Sequence, residues 1–274
     1  MTTTARNAAQ TTPARTAPVP TASAWGRQLP ASVRAQVLIL LRSPSLIVAA
    51  IALPVVLFLV LGTSGGHQPQ HGAPYAAYML CSMGAYAGGA IMLFNFGTTL
   101  AMERGQGVDR LFRASPMRPW TYLAAKGVVA VAVAVLSFAV LAASAALLTD
   151  AGLSAPKLLE LVGRLLLGSV TFLAMGMALG YVVGPTSASP IATLSYLLLS
   201  MASGLFMPLS QLPSGVRQVA RYLPTYHYAQ LAWGTVGAAD EPWTTAAAWL
   251  GGYALVFFAL AVRLYRRNQV RRFS

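Results

Sequence analysis

Three sets of residues in this sequence could carry chemistry: a serine among glycines, three histidines and a run of mixed charge. Gly62-Thr-Ser-Gly-Gly fits the G-x-S-x-G spacing of a nucleophile elbow, in which Ser64 would be an acylating hydroxyl. That elbow requires a strand before it, a helix after it and a histidine to take the proton. Here a long apolar run precedes the pattern, and His67 and His71 lie on the same glycine-rich loop. His227 lies in a later interrupted segment, and no apolar run contains a histidine. The pattern therefore reads as loop glycine, not as an intramembrane hydrolase. His67 and His71 have no Asp, Glu or Cys beside them, so no metal set forms. Cys81, the single cysteine, excludes an intramolecular disulfide and any cysteine cluster. A G-x-x-x-x-G-K-[ST] loop is absent, so the chain has no usual means of binding and hydrolysing ATP. No catalytic residue and no metal site is expected, and no nucleic-acid partner.

The mixed-charge run, AMERGQGVDRLFRASPMRPW at residues 101–120, is different in kind. It holds Glu103, Arg104, Asp109, Arg110, Arg113 and Arg118 between two long apolar runs, with Leu111 and Phe112 inside the charges. The prolines at 116 and 119 stop any helix that would continue through it. A short amphipathic helix over roughly 107–114, presented at a membrane face and then ended, suits docking better than catalysis. Glu103, at the end of the preceding span, could pair with a nearby cation, cap that helix or act as a gate. Glu160 and Arg164 form a second charged pair, spaced i,i+4 near one end of a later span. Paired near an interface, both can be held for less than the roughly 2.5–3.5 kcal/mol of an arginine at mid-bilayer.

The elements that position these groups are membrane helices. Hydrophobic residues make up 56% of the 274 and charged residues 9%, with a mean hydropathy of +0.61. Soluble domains carry about 25% charge. The fold class is therefore an all-α integral membrane protein. Residues 1–30, rich in Thr, Ala and Pro, read as a disordered tail without a secretory h-region. The membrane domain occupies 31–272. Residues 31–41 put Val33, Val37, Leu40 and Leu41 on one side and read as an interfacial helix. Six spans follow at about 45–61, 75–100, 122–148, 158–183, 191–206 and 243–262. Pro54 would kink the first. Residues 208–242 are too apolar for a loop and too interrupted for a span, and read as two re-entrant half-helices. Tyr226, His227, Tyr228 and Trp233 would form an interfacial aromatic cluster there. The pairs Gly84/Gly88 and Gly176/Gly180 have the G-x-x-x-G spacing of close helix approach, with the partner left open.

Six spans put both termini on one side. That side collects Arg6, Arg15, Arg27, Arg34, Arg42, the charged run, Lys126 and five arginines between 263 and 272. The other side has Lys157, Arg164, Arg217 and Arg221 against Asp150, Glu160, Asp240 and Glu241. The positive-inside rule sets both termini and the charged run in the cytoplasm, in a multi-pass protein of the plasma membrane.

Three segments resemble one family in the same order and topological places. LLRSPSLI at 40–47, followed by Pro54, is similar to the start of type-2 ABC transporter permeases. ERGQGVDRLFRASPMRPWTYLAAK at 103–126 resembles their cytoplasmic coupling segment, departing at 105–108 where members carry a longer charged run. SGLFMPLSQLPSGVRQVARYLPTYHYAQL at 203–231 resembles their outer re-entrant signature. Within the family the chain looks like the small daunorubicin-resistance-type multidrug exporters.

The resemblance implies a translocating subunit that is not itself an enzyme, driven by a separate ATPase that binds ATP and Mg. It implies two ATPase copies on a homodimer in membrane lipid, exporting a small lipophilic compound such as an antibiotic. Leu111 and Phe112 would plug the ATPase cleft, with Arg104, Arg110 and Arg113 setting register beside Glu103. Spans two and five would line the path, through Tyr86, Asn95, Phe96, Thr99, Ser195, Leu199 and Phe206. Polysaccharide or lipid export, and a non-transporting scaffold or immunity role, are the alternatives. Aromatics gathered at span ends lean the substrate toward small amphiphiles.

Overall fold

The computed structural model describes residues 22–42, 44–63, 69, 72–108, 119–149, 151 and 153–270. The expectations for the tail up to residue 21 and for residues 109–118 lie outside these. Among the described residues the chain is helical throughout, with no strand. The helices are α1 (Ala22–Leu41), α2 (Pro44–Gly62), α3 (Tyr75–Gly105), α4 (Pro119–Leu148), α5 (Ala155–Val182) and α6 (Ala188–Ala202). A 3-10 turn (Leu209–Gln211), α7 (Ser214–Ala220), α8 (Pro224–Trp233) and α9 (Trp243–Val270) complete the chain. Helices satisfy every backbone group within the segment, which is what a bilayer demands of a spanning chain.

Among the described residues four helices are long and apolar enough to cross a membrane: Tyr75–Gly105, Thr121–Leu148, Ala155–Val182 and Trp243–Arg267. Ala188–Ala202 is apolar but has 15 residues. At 1.5 Å per residue it covers about 22 Å of a core roughly 30 Å thick. Helix α1 begins at Ala22, earlier than the interfacial helix read from the sequence, and carries Pro30 within it. Ser32 Oγ donates to the Gln28 carbonyl at 2.8 Å across that proline.

Helix α3 is the axis. Of its most apolar stretch 89% is buried, against 17% for α9. Its broadest packing is on α5, and α2, α4, α6 and α8 also lie against it. Small residues make the α3–α5 approach possible. A Cβ at Gly176 would fall 2.8 Å from the Leu93 carbonyl oxygen, and one at Gly180 would fall 3.0 Å from that of Phe96. The G-x-x-x-G spacing of α5 is therefore used inside one subunit, backbone against backbone, where van der Waals packing replaces the missing hydrophobic drive. Helix α1 packs on α4, and α9 covers α5 and α8. Gly204, at φ +85°, turns the chain out of α6 toward α7 in a conformation that favours glycine.

Candidate functional site

Helix α3 carries Glu103 and Arg104 in its last turn, and each reaches a different neighbour. Lys126, on α4, donates from Nζ to Glu103 Oε1 at 2.9 Å and Oε2 at 3.0 Å. It also donates to Tyr122 Oη at 3.1 Å, so all three ammonium protons have partners. The Lys126 side chain is 3% exposed and that of Glu103 26%. This pair joins the end of α3 to the beginning of α4, on either side of residues 109–118. Arg104 instead donates to the carbonyl of Gly180, in the last turn of α5. Carbonyls there have no intrahelical donor, and a cation complements the negative end of the helix. The Arg104 guanidinium also sits 5.1 Å from the Tyr181 ring centroid, and Tyr181 meets Tyr265 of α9 edge-on at 5.7 Å. Two adjacent residues thus tie α3 to α4 and to the α5–α9 pair. The sequence left the partner of Glu103 open among the nearby cations; the structure gives it Lys126.

Arg110, Leu111, Phe112 and Arg113 lie outside the described residues. The residues read as lining a path divide between surroundings. Tyr86 stacks on Tyr196 at 5.4 Å and tilts against Phe206 at 5.1 Å, which brings two of the set together. Asn95 is two and a half turns from Tyr86, hence on the opposite side of α3. Its backbone carbonyl accepts from the Thr99 hydroxyl, and both residues are half-buried. Phe96 is buried. Ser195 donates to the Ala192 carbonyl at 3.2 Å, and the Leu199 carbonyl accepts from Thr225 Oγ1 at 2.9 Å. These residues do not share one face. Tyr196, which the reading passed over, is the hub. It donates to the Tyr86 carbonyl at 2.8 Å and contacts Phe94 and Phe172 edge-on. A Cβ at Gly89 would collide with its hydroxyl, so glycine is needed there. With this cluster inside the bundle, aromatic placement no longer favours a small substrate.

The opposite end is built mainly from packing and neutral bonds around α8, with the Arg164–Glu160 pair and the His227–Glu241 contact at its edge. Every residue of α8 is buried, including Tyr226, His227, Tyr228 and Trp233. They pack inside the protein. Trp233 stacks on Tyr78 at 4.8 Å and donates from Nε1 to Ser82 Oγ at 2.8 Å. Tyr228 donates to the Leu165 carbonyl at 2.8 Å. His227 Nδ1 meets Glu241 Oε1 at 2.7 Å, and its ring lies flat on Trp249 at 5.1 Å. Arg164, paired with Glu160, donates to the Leu231 carbonyl at 3.2 Å in the last turn of α8. A Cβ at Gly234 would stand 2.5 Å from Arg164 Nη1, so a side chain there would push the guanidinium off this cap.

Among the described residues no three His, Cys, Asp or Glu side chains could hold a metal. What these groups can do is fasten helices to one another. The comparison with protein families is consistent with that, since residues 63–263 match the model of the ABC-2 family transporter proteins. The chain belongs to the ABC-2 transporter family. It is also similar to the "Putative transport permease YvfS" of Bacillus subtilis (strain 168), at 26% identity over 195 residues covering 71% of this chain and 79% of that protein. The chain is thus a type-2 ABC permease, a multi-pass membrane subunit of an ABC transporter. An ABC-2 permease is not itself the ATPase, and family membership implies a partner subunit that is.

Proposed function

We propose that this permease is the membrane half of an exporter for lipophilic or amphiphilic compounds, antibiotics among them. It works as a homodimer carrying two copies of the ATPase, which bind ATP and Mg. The six spans, the re-entrant pair at 208–242 and cytoplasmic termini belong to this reading, with positive charge gathered at the Glu103 end as its support. Residues 101–120 dock on the ATPase. Leu111 and Phe112 fill its cleft, and Arg104, Arg110 and Arg113 set the register. When the ATPase dimer closes on nucleotide it pushes this segment, and the spans exchange between two packed arrangements.

The observation that carries the reading is the buried Lys126–Glu103 bridge. It fastens the two flanks of the docking segment to each other, so a push on the segment reaches α3 and α4 together. The aromatic core around Tyr86, Tyr196 and Phe206 would then repack as the path opens, with Asn95, Phe96, Thr99, Ser195 and Leu199 on the moving helices.

Co-purification with the ATPase tests this. Leu111→Asp puts a charge into an apolar plug and is expected to abolish the complex and the stimulated ATP turnover. If the variant kept both, the docking assignment would be wrong. A scaffold or immunity role predicts the complex without substrate-stimulated turnover, and a resistance panel in cells expressing both subunits separates drugs from lipids and polysaccharides.

A further inference from the structure

An open cavity of about 770 Å³ lies at the His227 end of the bundle, remote from the Glu103–Lys126 bridge. Its size falls within the roughly 300–1,000 Å³ of small-ligand pockets. Two arginines and two carboxylates contribute to its lining, but they are not equally engaged. Glu241 is held by His227 Nδ1 at 2.7 Å. Asp240 is held by Gln230, through its backbone N–H at 2.8 Å and its carboxylate at 3.4 Å. Arg217 and Arg221 are exposed, and among the described residues neither has a carboxylate within 4.0 Å. They stand i,i+4 across the end of α7, where two like charges repel each other. Both carboxylates keep their charge, but their oxygens already have partners, so the uncommitted hydrogen-bond donors of the cavity are the two guanidinium groups.

The walls beside those arginines are aromatic. Tyr222 is 67% exposed and Trp249 43%, and their rings meet edge-on at 6.5 Å. Trp249 is held in place by its flat stack on His227, so it offers a fixed apolar surface. Guanidinium groups bind carboxylate, sulfate or phosphate oxygens through a planar fork, with charge-assisted bonds about twice as strong as neutral ones. An anion between Arg217 and Arg221 would also remove their mutual repulsion.

We propose that this cavity is a binding site for an anionic amphiphile. Its head group lies between Arg217 and Arg221, and its apolar body lies on Tyr222 and Trp249. Such a head group has two sources, the phosphate of an acidic membrane lipid or the acid group of an exported solute. That the ligand is also cargo rests on the export reading above; that it binds does not.

The test uses the full chain in nanodiscs of phosphatidylcholine and two probes with one flat body, 1-pyrenebutyrate and 1-pyrenebutyltrimethylammonium. Energy transfer from tryptophan to pyrene reports binding. The anionic probe is expected to bind at least tenfold tighter than the cationic one. Arg217→Gln/Arg221→Gln should remove that preference, and Arg217→Lys/Arg221→Lys should keep most of it, because the charge remains. The net charge of +13 favours anions everywhere on the protein, so the variants decide. Tyr222→Ala, which leaves the arginines in place, should weaken both probes alike. Equal affinity for the two probes, or an unchanged preference in the glutamine variant, overturns the proposal. Discs rich in phosphatidylglycerol then separate the sources. Competition with the probe identifies a lipid phosphate, and its absence identifies a solute anion. Failure of the ATPase to bind would sink the export reading and leave these results standing.

Discussion

The two ends of the bundle are fastened by different physics. At the Glu103 end a buried ion pair and an arginine on a helix terminus join α3 to α4 and α5. At the His227 end, α8 is enclosed, with Tyr228 and Trp233 donating neutral hydrogen bonds into α5 and α3. Each end also has an arginine on the carbonyls of a helix end, Arg104 on α5 and Arg164 on α8. What differs is the penalty for parting. Separated ions in a dry interior cost several kcal/mol, whereas neutral bonds are each worth about 1 kcal/mol and rely on packing. Parting the Glu103 end therefore costs more in a single step than breaking any one bond of α8.

The clasp offers the most severe way to break this comparison. Lys126→Met leaves Glu103 charged and without its cation, and is expected to destabilise the protein by about 3 kcal/mol, the low end for a buried pair because Glu103 is 26% exposed. Thermal melting in detergent measures it. Adding Glu103→Gln should recover most of the loss, a rescue that neutral bonds cannot show. Next comes Arg164→Met, which removes the charged donor from the Leu231 carbonyl, while Glu160, 46% exposed, keeps its water. A loss of about 1.5–3 kcal/mol is expected, as for hydrogen bonds to charged groups. Proteolysis of the α8 region reports it locally. Tyr228→Phe should lose only about 1 kcal/mol, since one neutral bond goes and the packing stays. The smallest effect is expected for Arg217→Gln, within about 0.5 kcal/mol, because it lies exposed without an ion pair among the described residues. If Tyr228→Phe proved as damaging as Lys126→Met, the contrast between the ends would be lost.

The part of this legible in the sequence was local. Apolar runs marked the helices, and the G-x-x-x-G spacing at Gly176 and Gly180 announced a close approach. That spacing could not name its partner, because backbone contact leaves no complementary pattern on α3 beyond small residues. Glu160–Arg164 was readable as an i,i+4 pair, but the reach of Arg164 to Leu231 was not, since it crosses 67 positions. Lys126 was counted only as one more cation on its side. Its bond to Glu103 crosses 23 positions and the prolines between them, so no periodicity links the two. The aromatics of α8 looked interfacial because tyrosine, histidine and tryptophan are amphipathic, yet His227 Nδ1, the Tyr228 hydroxyl and Trp233 Nε1 find partners inside the protein.

The central claim is that the Glu103–Lys126 bridge carries the push of the ATPase and does more than stabilise the fold. The direct measurement is substrate-stimulated ATP turnover by the full complex carrying Glu103→Gln/Lys126→Met. The account predicts a variant that melts near the parent, still co-purifies with the ATPase, and loses most of its stimulated turnover. Parental turnover from that folded, assembled variant would contradict it.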